Sequence, residues 1–549
     1  MKIAYAQMKI SAGHPDVNTE KILRLINEAK AGGADMIIFP ELAISGNMLG
    51  DVTYQKSFVN ECLDCSEEII AASKNITVIF CDIALDLERR QIYDGLFTAR
   101  DRDKLVFPKA SWIMSDVDCG ENICRTLFTF AVGNFSGEYN LRVKLSSEPF
   151  SLDKKFPDDK INCPVIHVGC VGIQNTGKTI YTFDGGSAVY NSRGEIVQRA
   201  EPFTECLNFI ELEEIDKMPA LKLPEISEAE KIYRAISYGV KNFLEQIGMK
   251  KVVVGVSGGI DSAVAAALYT KILGAENVFL VNMPSKFNSA TTKNLSEQLA
   301  KNLGCKYFVV PIQESVDWTV KQLESVGLEV SSFVKENIQA RDRSSRILAA
   351  IAASVGGVFT CNANKAESTV GYATLYGDAA GFLSALADLW KYQVYDLARY
   401  MNEKIYGFEA IPQGIIDIVP SAELSTAQNV DEGKGDPLKY PYHDFLFRAF
   451  VERNQTPEEI LTWYASGEIE KNIGCEVGLV EKFFPTPEDF ISDLERWWKA
   501  FKVMGVAKRI QSPPILAVTD SPYGSVQESQ NGVHFTKKYL ELKNKLLAH

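Results

Sequence analysis

Histidine is scarce in this sequence, with five in 549 residues. Zinc sites draw on His and Cys at short spacing. The one CxxC, Cys62 and Cys65, has no second pair and no nearby His, which argues against a zinc centre. Long apolar runs are missing as well. The strongest candidate, LAAIAASVGGVF at 348–359, is too short to cross a bilayer and reads as a buried helix followed by a strand. The opening MKIAYAQMKI lacks the apolar stretch of a signal peptide, so a cytoplasmic protein without membrane association is expected. An excess of positive charge is absent: the net charge is −13, which argues against a general nucleic-acid partner. The 11 cysteines are odd in number and scattered, which fits reduced thiols better than a disulfide framework. There is no internal repeat and no low-complexity tract. What remains, 46% hydrophobic and 23% charged, is ordinary for soluble globular domains, and the length calls for at least two.

The first part of the chain is rich in short apolar strands: KIAYAQMKI, DMIIFPE, ITVIFCDIAL, LFTFAVG, CPVIHVG and AVYNSRGEIV. Helical patterns fall near 17–31 and 55–74, so an α/β layered domain is expected over 1–212. Residues 213–226, with two prolines and mixed charge, read as a linker. Strand and helix then alternate: a helix near 226–247, strand 251–256, helix 261–273, strand 277–283, helix 290–303 and strand 306–311. Alternation of this kind predicts a doubly wound parallel sheet, with ligands beyond the carboxyl ends of its strands.

One such end carries the stretch KVVVGVSGGIDSAVAAALY, 251–269. A β-branched strand stops at Ser-Gly-Gly, and an Ala-rich helix follows. Gly258 and Gly259 allow a tight turn and close approach of a ligand to the backbone. The helix start offers unpaired N–H groups and the positive end of its dipole, which suits phosphate. Asp261 would repel phosphate unless a cation lies between them, so Mg²⁺ is inferred. The bland alternative is a plain βα turn; six matched positions, S-G-G-I-D-S, weigh against it.

Four further stretches are weak alone. In ENIQARDRSSRILAA, 336–350, Arg341 and Arg343 are placed at the start of a helix, where they neutralise polyphosphate or are simply solvated. NANKAESTVGYATLYGDAAG, 362–381, puts Glu367 at a strand end, where it could share a metal with Asp261; Asp378 in its Gly-flanked turn reads equally as a cap. MPSKFNSATT, 283–292, and PSAEL, 420–424, complete the set. Together, in this order and spacing, they resemble the NAD⁺ synthetases, members of the N-type ATP pyrophosphatases with an adenine nucleotide α-hydrolase-like fold. The resemblance covers 226–515 and leaves 516–549 as a tail. It implies that the carboxylate of deamido-NAD⁺ attacks ATP, that pyrophosphate leaves, and that ammonia converts the acyl adenylate to NAD⁺ and AMP. Carried over by position, Gly255, Val256, Ser257, Gly258, Gly259, Ile260, Asp261 and Ser262 would bind ATP together with Met283, Arg341 and Asn362. Asp261 and Glu367 would hold Mg²⁺ and act catalytically. Asn337, Glu367, Asp378, Lys391 and Lys508 would meet deamido-NAD⁺. Asn362 departs from the family's usual Thr; it can still hydrogen-bond ATP, with a different geometry.

The glutamine-dependent members of this family carry a nitrilase-like α/β/β/α sandwich, and the first domain resembles one. FPELAISGNMLGD, 39–51, places Glu41 as general base, Lys109 in VFPKAS matches the catalytic Lys, and FDGGS, 183–187, matches a late strand. The nucleophilic Cys is missing: Gly133 falls at its position and Asn134 follows, and glycine cannot form an acyl-enzyme. A Tyr-bearing segment after the Lys is lacking, SSEPF puts Glu148 where a substrate-contacting Ser is expected, and the stretch from Gly133 to Pro149 is short for the helix the family places there. Glu41 and Lys109 are therefore read as vestigial. Three readings stay open: a structural relic with free ammonia as nitrogen donor, a displaced nucleophile such as Cys124 or Ser136 that hydrolyses glutamine, or a domain that binds a regulator or an ammonia-supplying partner. The family's habit implies a homo-oligomer. Sulfur transfer to RNA would want a basic face, and a non-catalytic nucleotide sensor would not need both Asp261 and Glu367.

Overall fold

The computed structural model describes residues 1–86, 91–110, 112–120, 122–130, 139–152, 154, 162–523 and 532–548. The chain divides into two compact units, one formed by 1–176 and 180–226, the other by 177–179 and 227–549.

The first unit is built from β1 (Lys2–Gln7), β2 (Met36–Glu41), β3 (Thr77–Asp86), β4 (Gln91–Arg100), β5 (Asp103–Pro108), β6 (Trp112–Asp118), β7 (Ile123–Thr129), β8 (Leu141–Ser146), β9 (Val165–Gly169), β10 (Val171–Thr176), β11 (Thr179–Asp184), β12 (Ala188–Tyr190), β13 (Ile196–Arg199) and β14 (Cys206–Glu211). Two six-stranded sheets form, ordered β14-β1-β2-β3-β4-β5 and β13-β12-β9-β8-β7-β6. Alternating side chains of both sheets meet in one apolar layer that includes Tyr5, Ile38, Ile79, Phe128, Val143 and Ile166. The opposite face of the first sheet, with Ala4, Ile37 and Val78, is covered by α1 (Pro15–Ala31) and α2 (Lys56–Ala71), which turn Ile22, Ile26, Cys62 and Ile69 toward it. Three layers of the expected α/β/β/α sandwich are thus present; among the described residues no α-helix covers the outer face of the second sheet, since the chain between β7 and β9 forms no described helix. AVYNSRGEIV is a hairpin rather than one strand. Asn191 N–H donates to the Glu195 carbonyl at 2.9 Å. Gly194 takes a φ of 81° that closes the turn.

The second unit opens with α3 (Glu228–Gln246), capped by Ser227, whose side chain accepts from Glu230 N–H. Its sheet is fully parallel, in the order β17 (Lys306–Val309), β16 (Val278–Asn282), β15 (Val252–Gly255), β18 (Val358–Phe359). Val252, Val253 and Val254 are fully buried, which explains the continuous apolar run: each such side chain contributes about 1.5–3 kcal/mol. The α4 helix (Ile260–Leu273) is buried from Ser262 to Thr270, and its alanines let it pack between α3 and α10 (Lys391–Tyr400). α5 (Ala290–Leu303) starts on a Ser289 cap and stops at Gly304 in the left-handed region. After α6 (Gln313–Ser325) comes α7 (Ser332–Arg341), which starts on a Ser331 cap and runs through a wider turn at Asp342–Leu348 into α8 (Ala349–Val355). Arg341 and Arg343 therefore sit inside a long helix rather than at its start, because Ser331 supplies the cap earlier in the chain. The wider turn between α7 and α8 is the kind of irregularity that helices place at functional sites. α8 and β18 follow the 348–359 pattern, but only Ala352 of α8 is buried. A short helix, α9 (Lys365–Val370), follows β18. Residues 440–498 and Tyr539 build a separate aromatic-rich core around Tyr442, Phe447, Phe490 and Trp497. Among the described residues no helix is long and apolar enough to cross a membrane.

Candidate active site

β15 is the first strand of the parallel sheet, and the chain places β16 on one side of it and β18 on the other. Loops leaving neighbouring strands in opposite directions open a crevice at their carboxyl ends. A cavity of about 260 Å³ lies there, lined by the whole stretch Gly255–Ser262 together with Met283, Asn362, Glu367, Asp378 and Lys391. Gly258 adopts a φ of 90°, and a Cβ on it would stand 2.5 Å from the Thr292 carbonyl oxygen. No other residue fits this turn without displacing the backbone of α5. Ser262 Oγ donates to the Gly259 carbonyl at 3.0 Å, and Gly259 N–H donates to Ser257 Oγ at 3.2 Å, so the loop holds its own shape at the start of α4.

Glu367 reaches the same cavity from the other wall. Its helix is capped by Asn364, whose side-chain oxygen accepts from Glu367 N–H at 3.0 Å. The amide of the same Asn364 donates to Asp261 Oδ1 at 3.2 Å, so one residue fixes both carboxylates. Between them lies Lys391, with Nζ 2.5 Å from Asp261 Oδ2 and 3.7 Å from Glu367 Oε1. Burial, and then the neighbouring Asp261 charge, push the Glu367 carboxyl up to about 8. Burial alone would pull the Lys391 ammonium down, but Asp261 and Glu367 outweigh it and hold it raised. Tyr440 O–H also donates to Glu367 Oε1, at 3.2 Å. Two carboxylates converging on one cation are a donor set suited to Mg²⁺. No cluster of three or more His, Cys, Asp or Glu suited to a metal occurs among the described residues.

Not every residue expected from the sequence reaches this cavity. Arg341 is exposed, and its Nε donates to the Leu375 carbonyl at 3.2 Å. Arg343, two residues on, lines the cavity instead: its Nε donates to the Met283 carbonyl at 3.0 Å and its Nη2 to Asn288 Oδ1 at 3.1 Å. Asn337 donates back to the Phe333 carbonyl of its own helix at 2.8 Å. Lys508 donates to the Gly371 and Ala373 carbonyls at 2.7 and 2.5 Å, bracing the loop that leads to Asp378 rather than lining the cavity. Asp378 accepts from Thr374 N–H at 2.6 Å, the capping role, while still facing the cavity. Asn362 keeps its position: it donates to the Gly255 carbonyl at 3.3 Å and accepts from Thr360 Oγ1 at 2.8 Å. The cavity also takes in Asn288, Thr292 and Tyr372, which lie within the quoted stretches but were not singled out there, and Tyr395 and Asp436, for which the sequence pattern gave no signal.

In the first unit Glu41 closes β2 and Lys109 follows β5; their side chains form an ion pair, and Lys109 Nζ also lies 3.5 Å from Asp94 Oδ2. The turn after Glu41 puts Leu42 at a φ of 52° and is held by Asp82, which accepts from Ile44 and Ser45 N–H at 2.7 and 3.0 Å. Ser147 donates to Glu41 Oε2 through both its N–H and its Oγ, at 3.2 and 3.0 Å. A serine thus does reach this site, and Glu148 pairs with Lys144 at 3.4 Å. Cys124 is buried in the apolar layer between the two sheets, and burial raises its thiol, a setting that disfavours the reactive thiolate. Gly133, Asn134 and Ser136 lie outside the described residues.

A glycine loop and a paired carboxylate site on a parallel sheet, joined in one chain to a nitrilase-like sandwich with its Glu–Lys pair, define a two-unit enzyme class: a nucleotide-activating unit with a carbon–nitrogen hydrolase-like unit. The sequence profiles agree, with the NAD synthase family matching residues 232–474 and the carbon-nitrogen hydrolase family matching 2–91. A glutamine-dependent NAD(+) synthetase of Synechocystis is 30% identical over 95% of this chain and 97% of its own. The chain belongs to the glutamine-dependent NAD⁺ synthetase family. Solved structures share the fold. The glutamine-dependent NAD(+) synthetase of Cytophaga hutchinsonii superposes with a TM-score of 0.78 at 15% identity, covering 100% of this chain and 99% of that one. That of Acinetobacter baumannii, in complex with ADP, gives 0.67 at 24%, covering 86% and 92%.

Proposed function

We propose that this chain makes NAD⁺ by ATP-dependent amidation of deamido-NAD⁺. The observation that carries the proposal is the convergence of the glycine loop, Asp261, Lys391 and Glu367 on one cavity at the sheet's switch point. A carboxylate is a poor acyl donor, and transfer to the α-phosphorus of ATP gives it a leaving group. The backbone N–H groups of Ser257–Asp261 and the start of α4 receive the pyrophosphate charge as it develops. Lys391 keeps Asp261 and Glu367 close together and supplies a further positive charge at that point. Asp261 and Glu367 would hold Mg²⁺, which neutralises the triphosphate. Ammonia then attacks the acyl adenylate, and AMP leaves.

Two nitrogen sources compete. A glycine at position 133 argues for free ammonia. Membership of a glutamine-dependent family, with Glu41 and Lys109 paired, argues for glutamine and is the better fit; hydrolysis then needs a displaced nucleophile in place of residue 133. Formation of NAD⁺ from deamido-NAD⁺, ATP and Mg²⁺ with ammonium tests the synthetase reading. Turnover is expected in the unaltered chain, and Asp261→Asn should remove it. No NAD⁺ from the unaltered chain, or undiminished turnover in the variant, would overturn the assignment.

A further inference from the structure

Pro420, Ser421 and Ala422 of PSAEL, 420–424, line the cavity, whereas Glu423 does not and takes no part in the steps above. Yet Glu423 is only 2% exposed, and its backbone sits at a φ of 47°, a conformation that a glutamate seldom adopts. A charge buried on a strained backbone persists only where its surroundings compensate for it. Here both oxygens are engaged. Oε1 accepts from Ser289 N–H at 3.1 Å, and Oε2 accepts from Thr292 Oγ1 at 2.7 Å and from Asn288 Nδ2 at 3.2 Å.

All three donors belong to the short stretch that opens α5, and that stretch is the wall against which the glycine loop is folded. The space a Cβ on Gly258 would need is taken by the Thr292 carbonyl oxygen and Cα, 2.5 and 2.8 Å away. On its other side the same stretch holds Arg343 through Asn288 Oδ1. A shift of 288–292 would therefore change both the shape of the phosphate loop and the aim of the arginine.

We propose that Glu423 is a positioning residue for the nucleotide: its carboxylate fixes Asn288, Ser289 and Thr292, and through them the Gly258 turn and Arg343. The proposal rests on the ATP-dependent reading above. It places the effect of Glu423 chiefly on the nucleotide, because its partner Thr292 packs against Gly258 and its partner Asn288 holds Arg343. A hydrogen bond to a buried charge is worth about 1.5–3 kcal/mol, which converts to about tenfold to a hundredfold in affinity.

The test uses the full chain with ammonium as nitrogen donor and compares the unaltered protein with Glu423→Gln and Thr292→Val. Both variants should raise the KM for ATP by about tenfold or more, with the KM for deamido-NAD⁺ within about twofold and kcat within about threefold. Direct titration with Mg·ATP, read by the shift in melting temperature, should show the same weakening without turnover. Unchanged ATP binding in both variants, or a loss spread equally over both substrates, would overturn the inference. Should Glu423→Gln fail to fold, Thr292→Val carries the test by itself. An unaltered chain that binds Mg·ATP but makes no NAD⁺ would sink the synthetase reading while leaving the positioning role to be decided by the titration.

Discussion

Asp444 sits in the helical core with one carboxylate oxygen accepting from Tyr392 N–H at 2.9 Å and the other without a partner among the described residues. The start of α10 should favour its charge, but burial wins and pushes it up to about 7. A carboxyl raised in the folded state stabilises fully only below its unfolded value, and the contribution is lost as pH rises through the folded value. Between pH 5.5 and 8 that loss amounts to about 2 kcal/mol. Asp444→Asn keeps the shape and removes the titration. The variant should therefore lose less thermal stability than the unaltered protein between those two pH values, and should be the more stable of the two at pH 8. Parallel melting curves of the two proteins would show Asp444 to be charged in the core after all.

Elements are held at the site by charge as well as by packing. α9 carries Glu367 and α10 carries Lys391, and Lys365 at the start of α9 forms a fully buried pair with Asp388, just ahead of α10, Nζ to Oδ1 at 2.7 Å. Asp388 Oδ2 also accepts from Val518 and Thr519 N–H at 2.6 and 2.7 Å, so the strand Ile515–Ala517 is anchored to the same point. Removing one partner leaves a bare buried charge, and Asp388→Ala should cost about 3–5 kcal/mol. Lys365→Met combined with Asp388→Leu should cost less than the sum of the single changes, measured by denaturant unfolding in a double-mutant cycle; simple additivity would mean that the pair is not coupled. None of this network is local in sequence, and that marks the limit of what the sequence made legible. α5 could be read from Ser289 and Gly304, and the phosphate loop from a β-branched strand broken by glycines, because cap, turn and period lie within a few residues. Lys391 standing between two carboxylates could not, since it meets Asp261 only when α4 and α10 pack. Arg341 and Arg343 show the same limit at finer grain: their roles depend on a wider helical turn that no periodicity announces.

At the scale of the molecule the two units carry separable chemistry. On the function proposed above, the second amidates with any ammonia that reaches its cavity, and the first contributes nitrogen only when glutamine is the source. Glu41 is 7% exposed, paired with Lys109 and fixed by Ser147, the arrangement a general base needs in order to keep one orientation. Losing a general base costs about 10²–10⁴ in rate. Glu41→Gln should therefore lower glutamine-supported NAD⁺ formation by at least about a hundredfold while leaving ammonium-supported formation unchanged, with both measured on the same preparation of the full chain. Ammonium-supported synthesis in the unaltered chain with no glutamine-supported synthesis would instead make Gly133 decisive and the Glu41–Lys109 pair structural. Equal loss with both donors would mean that the first unit supports the second through folding rather than through nitrogen supply.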